Sequence, residues 1–106
     1  MTLVTQVWVA SDHVQDSRTC TDVLTHAMTE LGELALEVQI HAGKSYKMPG
    51  SDGVVGEALD VVACMLDIIR VHDPNLTESD LMRIMQPKLE KWREKSQETP
   101  AISLRK

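Results

Sequence analysis

Four carboxylates carry the clearest chemical signal in this chain of 106 residues. Glu30 and Glu33 form an acid-x-x-acid pair in one long segment, and Glu57 and Asp60 form a second pair in another. Residues three apart on a helix point about 60° apart around its axis, so each pair shares a face. Glu37 continues the first face two turns after Glu30, and Cys64 and Asp67 continue the second. The first pair flanks an apolar stripe, which places it at the edge of a core. The second pair interrupts a run, VVGEALDVVACMLDIIRV, that is otherwise almost wholly apolar. Ionised carboxylates in such a helix are costly unless paired or bound to metal. The bases nearest in sequence are only Lys44, Lys47 and Arg70. Antiparallel packing of the two segments brings four like charges together. A hard divalent cation relieves that repulsion, and carboxylate oxygens are the ligands Mg²⁺ prefers, with Mn²⁺ as a substitute. An E-x-x-E pair alone is most often a solvated face; the second pair, inside an apolar helix, tips the reading to metal.

The elements that must position these acids are helical. Val23, Leu24, Ala27, Met28, Leu31, Leu34, Ala35 and Val38 recur at helical spacing and predict a helix over 20–42, with Gly43 as its terminal glycine. Residues 43–53 read as a loop from their Gly, Pro and Ser content, and 54–71 as a second helix, central and buried. Thr77-x-x-Asp80 has the form of a capping box opening a third. Pro87 should kink that helix or split it into 78–86 and 87–96. Residues 2–10 fit a strand or a helix by propensity; the lack of a partner strand favours helix. Residues 11–18 read as a polar connection. Met65, Met82 and Met85 read as core filling.

Length fits one domain, over 1–97, with a flexible tail over 98–106. A core this thin makes an oligomer a reasonable expectation. The net charge of -5 argues against a general nucleic-acid binder. No run approaches the roughly 20 apolar residues that span a bilayer. The first residues lack the pattern of a signal peptide, and Cys20 and Cys64 suit reduced thiols in a cytoplasmic protein.

With the elements in place, MTELGELALEV (28–38) and GEALDVVACMLDIIR (56–70) resemble the MazG-like branch of the all-α nucleoside triphosphate pyrophosphohydrolases. That family has E-x-x-E on one helix, a variable loop, and E-x-x-D on the next. The likeness covers about residues 20–72. It implies an all-α fold, a small antiparallel bundle of four or five helices, assembled as dimers or dimers of dimers. It also implies Mg²⁺ on Glu30, Glu33, Glu57 and Asp60, and hydrolysis of a nucleoside triphosphate to monophosphate and pyrophosphate. Basic residues after the second acidic helix help hold phosphate in the family; by region these are Lys88, Lys91, Arg93 and Lys95.

Further roles stay open on residue type alone. Glu30 or Glu33 orients the attacking water. Glu37 is a ligand, a support to one, or solvated; Asp67 reads as structural. Lys44 and Lys47 reach phosphate or merely solubilise their loop. Trp8 stacks a base or anchors a core or interface. The histidines lack ligand spacing and read as surface or rim residues. A di-iron carboxylate bundle wants Glu-x-x-His, which neither helix offers. A non-catalytic helical dimerisation or nucleotide-binding module is the alternative to an enzyme.

Overall fold

The computed structural model describes residues 1–14 and 17–98 and contains four helices: α1 (Leu3–Val14), α2 (Cys20–His41), α3 (Gly53–His72) and α4 (Glu78–Glu98). No strand occurs among the described residues. None of the described helices is long and apolar enough to cross a membrane. The chain divides into two compact units, Met1–Asn75 with α1 to α3, and Leu76–Lys106 with α4. The expected tail beyond Glu98 lies outside the described residues.

Local chemistry accounts for the helix ends. At the start of α2, Thr19 and Asp22 form a reciprocal capping box, with Asp22 N–H donating to Thr19 Oγ1 and Thr19 N–H to Asp22 Oδ2. At its end Gly43 takes a left-handed φ of 74°, donates to the Ile40 carbonyl, and lets Lys44 N–H reach the Gln39 carbonyl. That is the bond pattern of a Schellman cap, and it accounts for a glycine at this point. The expected box at Thr77 and Asp80 forms, with bonds of 3.1 Å in both directions.

Three expectations are corrected. Helix α1 runs on to Val14 through residues read as a polar connection. The reason is tertiary: Ser11 and Asp12 bond to Asp67 and Arg70 of α3, so these polar residues form a docking face. Helix α4 passes through Pro87 as one element, so it does not split into 78–86 and 87–96. Arg83, whose carbonyl loses its partner, is exposed, so water can satisfy it. Met65, Met82 and Met85 are 40–50% exposed and do not fill a core.

In the first unit α3 packs against both α2 and α1. Cys20 lies against the Ile68 carbonyl, Arg18 pairs with Asp67, and Glu30 and Glu33 meet Glu57, so α2 and α3 are antiparallel. Trp8 meets Leu66 and Asp12 meets Arg70, so α1 runs in the direction of α3. The buried apolar core is small: Trp8, Val23, Ala27 and Cys64. Helix α3 is central but not covered all round, because Val55, Leu59, Val62 and Met65 are exposed. On α2, Leu24, Met28, Leu31 and Val38 are exposed as well. These residues lie on one side of the α2–α3 contact line, at about 100° per residue, and the carboxylates lie on the other.

Candidate metal centre

Helix α2 contributes Glu30 and Glu33, and α3 contributes Glu57 and Asp60. The antiparallel register brings the two pairs together. One carboxylate oxygen from each of Glu30, Glu33 and Glu57 lies within 4.8 Å of the others. A second trio, Asp52, Glu57 and Asp60, meets the same limit, so Glu57 belongs to both.

Asp52 was not among the residues singled out from sequence. It reads there as an ordinary polar residue in GSDG. In the structure it stands at the N-terminus of α3, yet its side chain makes no capping hydrogen bond. Gly56 makes room for it: a Cβ there would lie 2.6 Å from the Asp52 Cβ. A carboxylate at a helix start followed by glycines at 53 and 56 was the available signal.

The electrostatics match the crowding. Burial, then the charges of Glu33 and Asp60, push the Glu30 carboxyl above its ordinary range. Burial also pushes Glu57 up, followed by Glu33, Asp60, Asp52 and Glu30. One oxygen of each, Oε2 in both cases, is inaccessible to solvent and has no hydrogen-bond partner. Among the described residues, the one basic side chain within ion-pair distance of the quartet is His26, whose Nε2 is 3.3 Å from Glu30 Oε1. The donor set fits a hard cation. Mg²⁺–oxygen bonds of about 2.1 Å put opposite ligands about 4.2 Å apart, so oxygens already within 4.8 Å need little contraction. The nearby Cys64 thiol is pushed up by burial and then by Glu30, and it stands in neither trio.

The other candidates fall elsewhere. Glu37 is buried and bonds to Gly50 and His41, outside both trios. Asp67 is structural: it accepts from Ser11 Oγ at 2.5 Å and from both terminal nitrogens of Arg18 at 2.6 and 3.1 Å. Trp8 is 6% exposed, donates its indole N–H to the Leu66 carbonyl, and carries Arg70 5.5 Å over its ring. It is a core anchor, and base stacking on it is excluded by this burial. Lys44 and Lys47 are exposed, with no ion pair to the acids among the described residues. Lys88, Lys91 and Arg93 lie on α4 in the second unit, where Arg93 pairs with Glu90 at 2.6 Å.

A cleft of about 360 Å³ opens beside the acids, with Val7 and Val14 of α1 on one wall and Ser11, Arg18, Glu30 and Asp60 on its border. It is large enough for a small organic group next to the carboxylates. No protein-family model, no curated protein and no solved structure matches this chain.

Proposed function

We propose that the chain is a Mg²⁺-dependent nucleoside triphosphate pyrophosphohydrolase. The observation that carries this reading is the pair of buried, unpartnered oxygens on Glu30 and Glu57, in two carboxylate trios that share Glu57. Such oxygens are expensive to leave bare, and a cation satisfies both. The reaction class comes from the likeness of the two acidic helices to the MazG-like family.

Glu30, Glu33, Glu57 and Asp60 hold Mg²⁺, with Asp52 as a fifth carboxylate. The bound ion supplies charge neutralisation to the triphosphate and polarises its phosphoryl oxygens. Glu30 or Glu33 orients a water and takes its proton as the oxygen attacks the α-phosphorus. The α–β anhydride bond breaks, and pyrophosphate leaves with the bonding pair. The cleft against α1 takes the nucleoside. Lys44 and Lys47, in the same unit as the acids, are the cations it offers to phosphate. The free thiols Cys20 and Cys64 suit a cytoplasmic enzyme.

A second copy of the chain covers the exposed apolar residues of α2 and α3. Among the described residues no side chain is below 2% exposure, so the unit's own core is thin. Pairing two such faces by a two-fold axis makes a four-helix core and leaves the carboxylates open on the far side. That face also favours the second reading, a dimerisation module without catalysis.

One assay separates the two. The purified protein is incubated with Mg²⁺ and a panel of ribo- and deoxyribonucleoside triphosphates, and products are identified. Monophosphate with pyrophosphate is the expected result. No turnover of any triphosphate, with Mg²⁺ or Mn²⁺, defeats the enzyme reading.

A further inference from the structure

Glu37 is the most deeply buried carboxylate among the described residues, at 6% exposure, and it stands in neither acidic trio. A buried charge must be satisfied by partners. Glu37 finds them in the chain itself. The Gly50 N–H donates to both of its oxygens, at 3.0 and 3.2 Å, and His41 Nε2 lies 3.2 Å from Oε1. Gly50 approaches closely: a Cβ there would lie 3.4 Å from Glu37 Oε2.

This bond ties the end of the loop before α3 to the last turns of α2. Glu37 is in the last turns of α2, and Gly50 is two residues before Asp52. The other hydrogen bonds of the connecting loop among the described residues are local, such as Lys44 N–H to the Gln39 carbonyl and Lys47 N–H to Ser45 Oγ. The start of α3 also lacks a side-chain cap, because Asp52 makes no such bond. Among the described residues, the Glu37–Gly50 contact is therefore the hydrogen bond that holds the end of this loop to α2, beside the packing of the two helices.

We propose that Glu37 is a positioning residue for the metal centre. Through Gly50 it sets where α3 begins, and so carries Asp52 and Glu57 to Glu30 and Glu33. It stands outside both carboxylate trios and turns to Gly50 and His41 instead, so its role is to position and not to ligate. The proposal rests on the metal-centre reading given above.

The test compares wild type, Glu37→Gln and Glu37→Leu by Mn²⁺ binding, read from the electron paramagnetic resonance of free Mn²⁺. Helical circular dichroism serves as the folding control. The carboxamide of Glu37→Gln keeps an acceptor for Gly50, so its affinity should stay near wild type. Glu37→Leu has none and should bind about tenfold more weakly. Equal weakness in both variants makes the charge itself the requirement and overturns positioning in favour of ligation. Wild-type affinity in both overturns it as well. Absence of Mn²⁺ binding by wild type defeats the metal reading and this proposal together, a result distinct from the other two. Amide hydrogen exchange reads the tie without metal: Gly50 and the first turn of α3 should exchange faster in Glu37→Leu, and unchanged exchange overturns the tie. If Glu37→Leu fails to fold, Gly50→Pro removes the same bond from its donor side and takes its place in both measurements.

Discussion

Glu30 of α2 and Glu57 of α3 bring carboxylate oxygens within 4.8 Å of each other, and each keeps its Oε2 atom buried without a hydrogen-bond partner. Two like charges in that relation store repulsion in the folded chain. Most of what can be tested about this protein follows from how that repulsion is relieved.

Mg²⁺ or Mn²⁺ should stabilise the first unit. At a free ion concentration about 100 times its Kd, the linkage is worth about 2.7 kcal/mol and raises Tm by roughly 10–20 °C. Glu57→Gln, which changes the residue common to both trios, should abolish most of that rise. Calorimetry with and without Mg²⁺ measures both. An ion-dependent rise that survives in Glu57→Gln would place the ion elsewhere.

Stability without metal should increase as pH falls from neutral. Glu30 and Glu57 have folded-state pKa values above the ordinary 4.5, so their ionisation opposes folding. A group raised in this way contributes stability that is present when protonated and lost as pH rises through the folded value. Asp12, Asp22 and Asp80 are lowered, by Arg70, Thr19 and Thr77 respectively, and their contributions are lost only in stronger acid. Urea melts of the metal-free protein should therefore give a higher midpoint near pH 5 than near pH 7.5. Saturating Mg²⁺ should remove the difference. A midpoint falling steadily towards acid contradicts the assignment.

Docking of α1 depends on Trp8. Trp8→Ala removes a buried ring and should cost about 3–5 kcal/mol. Trp8→Phe keeps most of the ring but leaves the Leu66 carbonyl without the indole N–H, at a cost of about 1–3 kcal/mol. Denaturant melts followed by circular dichroism give both numbers. A ring free to stack a base would show little cost in either variant and a loss of substrate affinity instead.

The exposed apolar face should self-associate. Leu31 and Val62 are 54% and 39% exposed on the α2 and α3 arcs. Sedimentation should find a dimer or larger for the wild type, and a monomer for Leu31→Lys combined with Val62→Lys. A wild-type monomer at concentrations well above micromolar leaves the face unpaired and removes the second-copy reading.

Gly56→Ala reverses an ordinary rule. Alanine in a helix interior is normally favoured over glycine by roughly 0.5–1 kcal/mol. Here the new methyl meets the Asp52 Cβ at 2.6 Å and must displace it. The variant should bind Mn²⁺ more weakly, as Asp52→Asn should. Equal affinity in both variants and wild type removes Asp52 from the centre.

The sequence by itself determined α2, α3, the start of α4, the two acidic pairs and their faces. Apolar spacing at 23, 27, 34 and 38 is a local property, and so are Gly43 and the Thr77–Asp80 cap. Tertiary structure decided the rest. It made Ser11 and Asp12 helical, because their partners Asp67 and Arg70 are more than fifty residues away. It turned Trp8 inward, for the same reason of a distant partner at Leu66. It separated Glu37 from the quartet although both share one helix face, because the loop folds Gly50 back onto its carboxylate. It added Asp52 to the quartet, since a loop residue joins a helix face only when the chain turns it there. The four carboxylates began as a pattern of spacing; the antiparallel register of α2 and α3 is what makes them neighbours.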